Sequence, residues 1–260
     1  MNIQEALALL DSMSANGAEL RRLVLANRLM EMTGNMVQHG PLQGFHLGHH
    51  ATWRIADNCA KLLGLYEQEV CALVAALGKN RSTLIDLGAA DGFYGVGMVA
   101  ANHYRISHCF ECAPESLNNI RQIAAQSGVQ DRVILHGAAG DDFVDTVRQH
   151  HVDLRDAVVL SDVESSEFDI FTDACLASLT QTHIIIEIHD FQVPPPLGRQ
   201  KYERLLTSAQ RYFNITEIKT GARDLSHIPL VANHWTDTDR WLLCSESRAT
   251  LMSWLHLSPR

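Results

Sequence analysis

The stretch TLIDLGAADGFYG, Thr83–Gly95, decides how the chain is read: an apolar strand carries Asp86 near its end and runs into three closely spaced glycines, Gly88, Gly92 and Gly95. Glycine lets the backbone turn sharply and approach a ligand, and a helix starting near Gly92 would offer unpaired N–H groups and the positive end of its dipole. Dinucleotide loops share the strand, turn and helix, but their G-x-G-x-x-G spacing serves a pyrophosphate and is absent here. An acid two residues before the first glycine would repel a pyrophosphate. It suits a ligand with a cationic amino-acid tail.

S-adenosylmethionine is such a ligand, and the sequence on either side agrees with it. Ile106 to Phe110 is a second apolar strand ending at Glu111, where a carboxylate can accept both hydroxyls of a ribose. A third strand, Arg132 to His136, runs into GAAGDD, whose small Ala138 and Ala139 leave room for a flat adenine beside Asp141. At this point the chain resembles the class I S-adenosylmethionine-dependent methyltransferases and, within them, the FkbM-like group. The resemblance is carried by the Asp86 loop with its Gly88-Ala89, by FECAPESLNNI from Phe110, SDVESSEFDIF from Ser161 and IIIEIHDF from Ile184, with weaker support from ESRATLMSWL at Glu246. It implies an α/β fold with a doubly wound, Rossmann-like, seven-stranded sheet. Residues 1–80 are then expected to form a helical extension or lid, and residues 81–260 the methyltransferase domain.

The cofactor's charges assign roles to the first constellation. Asp86 is expected to meet the ammonium or sulfonium side directly or through water, with Gly88, Ala89 and Ala90 presenting backbone to the methionine moiety. Asp91 either fixes the loop or caps a helix beginning at Gly92, where aspartate is favoured. Tyr94 either lies over the cofactor or packs under the first helix. Glu111, Ala138, Ala139 and Asp162 complete the expected cofactor set.

A second constellation, Asp162, Glu164, Glu187, His189 and Asp190, falls at the carboxyl ends of strands four and five, the edge where open α/β sheets bind ligands. Strand alternation puts Asp162 with Glu164, and Glu187 with His189. Asp162, Glu187 and His189 could hold magnesium or another divalent ion, which would bind a substrate oxygen and lower its pKa. Alternatively His189 or a carboxylate is a metal-free general base, or the group only fixes the loop. The expected reaction is methyl transfer to a hydroxyl of a small acceptor, a saccharide or secondary metabolite. An N-methyltransferase acting on an amino acid or peptide side chain, and a cofactor-binding protein without turnover, are the alternatives.

Composition bounds this reading. The 260 residues are 46% apolar, enough for one α/β domain with an appendage. With 21 basic against 30 acidic residues the formal charge is −9, the wrong sign for binding nucleic acid through its phosphates. No apolar run approaches the roughly 20 residues that span a bilayer, and MNIQEALALLDS lacks a basic leader region, so a cytoplasmic protein without membrane insertion is expected. A homo-oligomer is compatible with all of this. The six cysteines follow no disulfide or zinc pattern, and Cys109 and Cys112 on one strand should diverge.

Helical apolar spacing occupies residues 1–40, with Asn16-Gly17 expected to break it into two helices. Two more helices should follow, ending at Gly78. The expected strands are Leu84–Leu87, Ile106–Glu111, Val133–His136, Ala157–Asp162 and Thr182–Ile188, then Phe213–Lys219 and Trp241–Ser245 as the closing antiparallel pair that the resemblance implies. The His49-His50 and His150-His151 tracts read as surface residues, since adjacent side chains on a helix diverge. His49 and Trp53 would share a helix face bordering the pocket.

Overall fold

Five strands with near-continuous apolar sequence form the centre of a sheet in the computed structural model, which describes residues 2–48, 55–246, 248, 250 and 252–260. They are β1 (Thr83–Leu87), β2 (Ile106–Phe110), β3 (Val133–His136), β4 (Ala157–Ser161) and β5 (His183–Glu187), all parallel. Such runs suit strands covered by helices on both faces. Two antiparallel strands, β6 (Phe213–Lys219) and β7 (Ser253–Pro259), complete the order β3-β2-β1-β4-β5-β7-β6. This is the seven-stranded, Rossmann-like arrangement expected. The expectation for β6 holds, and those for β1 to β5 hold to within a residue at each end.

The last strand is a correction. Trp241–Ser245 is not β; the segment belongs to the helix Asp237–Cys244, whose start is capped by the Thr236 hydroxyl accepting from the N–H of Asp239 at 3.3 Å. Its apolar run buries Leu243 and Cys244 while Trp241 stays exposed, a one-sided pattern that a helix satisfies without strand partners. Ser253–Pro259 takes the sheet position because it pairs on both sides, Leu257 with Ile184 of β5 and with Ile215 of β6.

The chain divides into two compact units, Met1–Tyr66 with Ala222–Ala249, and Glu67–Gly221 with Thr250–Arg260. The second carries the sheet. Its main core joins Ile85, Leu87, Val159, Ile184 and Ile186 of the strands to Phe143 and Leu176 of the covering helices.

The first unit is helical. Its opening helix, Ile3–Thr33, is continuous through Asn16-Gly17, correcting the expected break. A glycine inside a helix costs about 1 kcal/mol relative to alanine, which does not by itself end one. The real boundaries are a capping box, in which Asn2 and Glu5 exchange side-chain and backbone bonds of 2.8 and 2.9 Å, and left-handed Gly34. Leu25, Ala26 and Leu29 pack with Leu62, Val231 and Leu243. The buried Arg22 guanidinium is neutralised by Asp57 at 3.0 Å and Glu19 at 2.9 Å, and it donates to the Ser245 carbonyl at 2.9 Å. His49, His50 and Trp53 lie outside the described residues.

Candidate active site

Strand order reverses at β1, which lies between β2 and β4, so the loops after these strands diverge and leave the crevice where such sheets bind ligands. The residues expected to bind the cofactor converge there, in the sheet unit. The loop after β1 is held open by left-handed backbone at Gly88, Ala90 and Gly92, with φ of 84°, 46° and 83°. Only glycine fits at position 88, where an added Cβ would drive into the carbonyl oxygen of Asp162 at the end of β4. A non-glycine residue in this conformation, as at Ala90, is strain of the kind that clusters at functional sites.

The donors of this loop are already spoken for. Gly88 and Ala89 donate to the Phe110 carbonyl at 3.0 and 2.9 Å, and Gly92 to Ala89 at 2.7 Å. Ala90 donates to Glu111 Oε2 at 2.9 Å and Phe93 to Asp91 Oδ1 at 3.2 Å. The Gly95 N–H bonds the Asp86 carboxylate. This corrects the expectation of a helix from Gly92 presenting free N–H groups. The helix begins at Gly95, and Asp91 acts within the loop rather than as its cap, which is Tyr94.

Asp86 is buried beside Cys109 and Gly95, where an added Cβ at position 95 would strike both side chains. Its carboxylate turns toward the helix start rather than lying open to a ligand. Burial, partly offset by the Gly95 N–H and reinforced by the charges of Asp91 and Glu111, pushes its pKa up to about 7. Its Oδ2 has no hydrogen-bond partner. Glu111 bridges two segments, its Oε1 accepting the Ala113 N–H at 2.7 Å while Oε2 holds Ala90. Tyr94 is buried, and its hydroxyl donates to Glu67 Oε2 at 2.9 Å, which ties the loop to the residue that precedes the helix Gln68–Leu77. In the loop after β3, Ala138 is exposed and Ala139 half-buried against the core.

At the ends of β4 and β5 the second constellation assembles around the buried His189 ring. Its Nε2 lies 3.5 Å from Asp162 Oδ1, 3.5 Å from Glu187 Oε2 and 3.7 Å from Glu164 Oε2, and its Nδ1 lies 3.6 Å from Glu167 Oε1. The ring's position is fixed from behind, because the His189 N–H donates to Glu167 Oε1 at 2.8 Å. Burial alone would lower the pKa of this imidazole, but bonding to Glu167 and Glu187 and the charges of Glu187 and Asp162 prevail and push it up to about 10. Asp162 is raised well above the carboxylate range by burial and then by its neighbours Glu187 and Glu67.

Among the described residues, Asp162, Glu164 and His189 are the group whose ligand atoms all come within 4.8 Å of one another. Glu187 approaches His189 as closely as Asp162 does, but it is Glu164 that completes the group of mutually close ligand atoms. Its backbone is left-handed, φ 49°, as is that of Ser165, φ 78°, and this aims the tight DVESS turn back at the histidine. Asp190 opens the next 3₁₀ turn, Asp190–Gln192. Sequence reasoning missed Glu167 and Glu67. Glu167 stood within the SDVESSEFDIF motif and could have been taken from it. Glu67 lay in the stretch read only as two helices ending at Gly78.

The six cysteines are free; Cys109 is buried on β2 and Cys112 is exposed past the strand's end at Phe110, so the two diverge as expected but not through strand alternation. Among the described residues, no helix is long and apolar enough to cross a membrane.

No protein-family model matches the chain, and no curated protein matches it. Solved structures do. An O-methyltransferase from Bacillus cereus in complex with SAH aligns at 12% identity over 75% of this chain and 80% of that one, with a TM-score of 0.48. A precorrin-8w decarboxylase from Methanobacterium thermoautotrophicum aligns at 16% identity over 74% and 90%, TM-score 0.47. A precorrin-6y C5,15-methyltransferase from Geobacter metallireducens aligns at 11% over 74% and 89%, TM-score 0.44.

Proposed function

We propose that the protein is an S-adenosylmethionine-dependent methyltransferase that acts on a hydroxyl of a small molecule, a saccharide or secondary metabolite. The observation that carries this reading is the state of the glycine loop: the N–H groups of Gly88, Ala89, Ala90, Gly92, Phe93 and Gly95 are bonded internally, half of them to the carboxylates of Glu111, Asp91 and Asp86. A phosphate-binding loop needs those donors free. A loop with its donors satisfied and three acids beneath it favours a cationic ligand.

The residues present fit such a cofactor. Glu111 keeps a second acceptor site on each carboxylate oxygen after its two backbone bonds, and these would hold the ribose hydroxyls. Gly88, Ala89 and Ala90 would face the methionine moiety, with Asp86 acting through the loop, and Ala138 and Ala139 would flank the adenine. When bound, the cofactor supplies an electrophilic methyl on a sulfonium. The chain's own contribution is to hold the acceptor oxygen in line with it, since near-attack alignment supplies much of the barrier reduction in such transfers.

The His189 group would deal with the acceptor's proton. Four carboxylates surround one imidazole, a concentration of acidic groups that a divalent ion would neutralise once the histidine has given up its proton. That supports the metal reading over a free histidine base. Asp162, Glu164 and His189, with Glu187 beside them, offer the oxygen-rich donors with one nitrogen that suit magnesium or manganese. A divalent ion there would lower the pKa of an acceptor hydroxyl. The FkbM-like affiliation rests on the four motifs given above.

Isothermal titration of the protein with S-adenosylhomocysteine and with NAD⁺ tests the cofactor assignment. Saturable binding of the first and none of the second is expected. The reverse would replace the reading with a nicotinamide enzyme.

A further inference from the structure

The opening helix has two apolar faces, and only one is covered. Leu25, Ala26 and Leu29 are buried with the rest of the helical unit, whereas Ile3, Leu7, Leu10, Met13, Leu20 and Val24 are each between 55% and 79% exposed. At 100° per residue Ile3, Leu10, Met13, Gly17, Leu20 and Val24 fall within one stripe about 100° wide, on the side away from Leu29. From Ile3 to Ala18 only Ala6 is even partly covered. A free-standing helix of this length in water is marginal, because helices in proteins draw most of their stability from packing an apolar face.

We infer that this stripe is a self-association surface, on which the opening helix of a second copy docks antiparallel about a two-fold axis between Met13 and Ser14. The stripe is self-complementary about that point. A two-fold axis there sets Ile3 against Val24 and lays Leu10 over Gly17, where an added Cβ would meet nothing within 4 Å in the single chain; Leu20 meets Leu7 about 40° beyond the stripe's edge, and Met13 meets Ser14 at the axis. Large side chains thus face small or apolar ones, as an isologous interface requires.

Charge supports the same direction. Residues 2–20 carry Glu5, Asp11 and Glu19 and no lysine or arginine. Antiparallel docking about this axis keeps the acids of the two copies apart, whereas parallel docking would set each beside its own copy. The helix dipoles also oppose one another in this arrangement. A membrane surface is the poorer occupant, since interfacial helices carry lysine and arginine beside their apolar face. Twenty-two residues give a contact about 33 Å long, which for two helices buries on the order of 1,000 Å², the lower bound of a specific interface. The dimer is therefore reversible and concentration-dependent.

Sedimentation velocity of the full chain from about 1 to 100 µM tests it. A monomer–dimer equilibrium is expected. Gly17→Leu should weaken it at least tenfold while leaving the monomer folded, because the space it fills is open until the partner arrives. Orientation is read by disulfide trapping in a Cys112→Ser background, which removes the exposed native thiol. Met13→Cys should cross-link to itself, and Ile3→Cys only when mixed with Val24→Cys. A monomer at every concentration would overturn the proposal, as would self-cross-linking of Ile3→Cys. So would binding to phosphatidylcholine–phosphatidylserine vesicles that is lost in Leu10→Glu, which would make a lipid surface the occupant.

Discussion

Glu111 holds the backbone N–H of Ala90 at 2.9 Å, and Ala90 is the one non-glycine residue with left-handed backbone in the loop after β1. The carboxylate at the end of β2 therefore stabilises a strained turn, and in the function proposed above it would also receive the ribose hydroxyls. Bonds to a charged acceptor contribute about 1.5–3 kcal/mol. Glu111→Gln should accordingly weaken S-adenosylhomocysteine binding by roughly 10- to 100-fold in calorimetry, and the Ala90 amide should exchange faster with solvent. Unchanged affinity would remove Glu111 from the cofactor site.

Gly88→Ala puts a methyl group into the Asp162 carbonyl and forces φ of 84° on a residue that resists it. Either the β1 and β4 ends separate or the loop rearranges, and a loss of several kcal/mol is the usual scale for such strain. Gly137→Ala, where an added Cβ meets nothing within 4 Å, is the control. Urea unfolding should show a large fall in midpoint for the first and little change for the second.

The metal reading makes a direct claim about the His189 cluster. Manganese should bind with a signal in electron paramagnetic resonance that Asp162→Asn or Glu164→Gln weakens, and chelator should abolish turnover until magnesium or manganese is restored. Cofactor affinity should survive both substitutions. If chelator does nothing while His189→Ala lowers turnover by about 10²–10⁴, the histidine is a metal-free base. If neither treatment matters, the cluster is structural.

Two imidazole pairs give the fold a pH limit. His108 Nδ1 and His136 Nε2 lie 3.0 Å apart, as do His183 Nδ1 and His256 Nε2. Burial, then repulsion from neighbouring histidines, lowers His108 and His256 to about 4. At these two imidazoles the unfolded chain thus binds more protons than the folded one between pH 4 and 6.5, so the stability they contribute is full above 6.5 and is lost as pH drops through that window. Asp86 and Asp162, both raised by burial, act in the opposite direction. The histidine contribution is therefore read as a difference: the change in urea midpoint between pH 7 and pH 5 should be shifted in His108→Leu relative to the parent, with the parent losing more, or gaining less, on acidification. The same change in both proteins would show that the His108 ring protonates freely in the folded protein.

The sequence by itself determined the sheet and the identity of most residues at its edge. Five apolar runs ending in Asp86, Glu111, His136, Asp162 and Glu187 are local signals, because burial on both faces writes itself into consecutive residues. The glycine loop was legible for a similar reason: positive φ favours glycine on local steric grounds, as at Gly88 and Gly92. What only tertiary structure decided depends on partners distant in the chain. Whether Trp241–Ser245 or Ser253–Pro259 became β7 turned on which segment could pair with both β5 and β6, since each is a short apolar run with no periodicity to separate them. The orientation of Asp86 toward Gly95, the engagement of Tyr94 by Glu67, and the closing of Glu164 and Glu167 around His189 are likewise products of packing. A side chain's direction is set by the space its neighbours leave, and those neighbours come together only when the sheet is built.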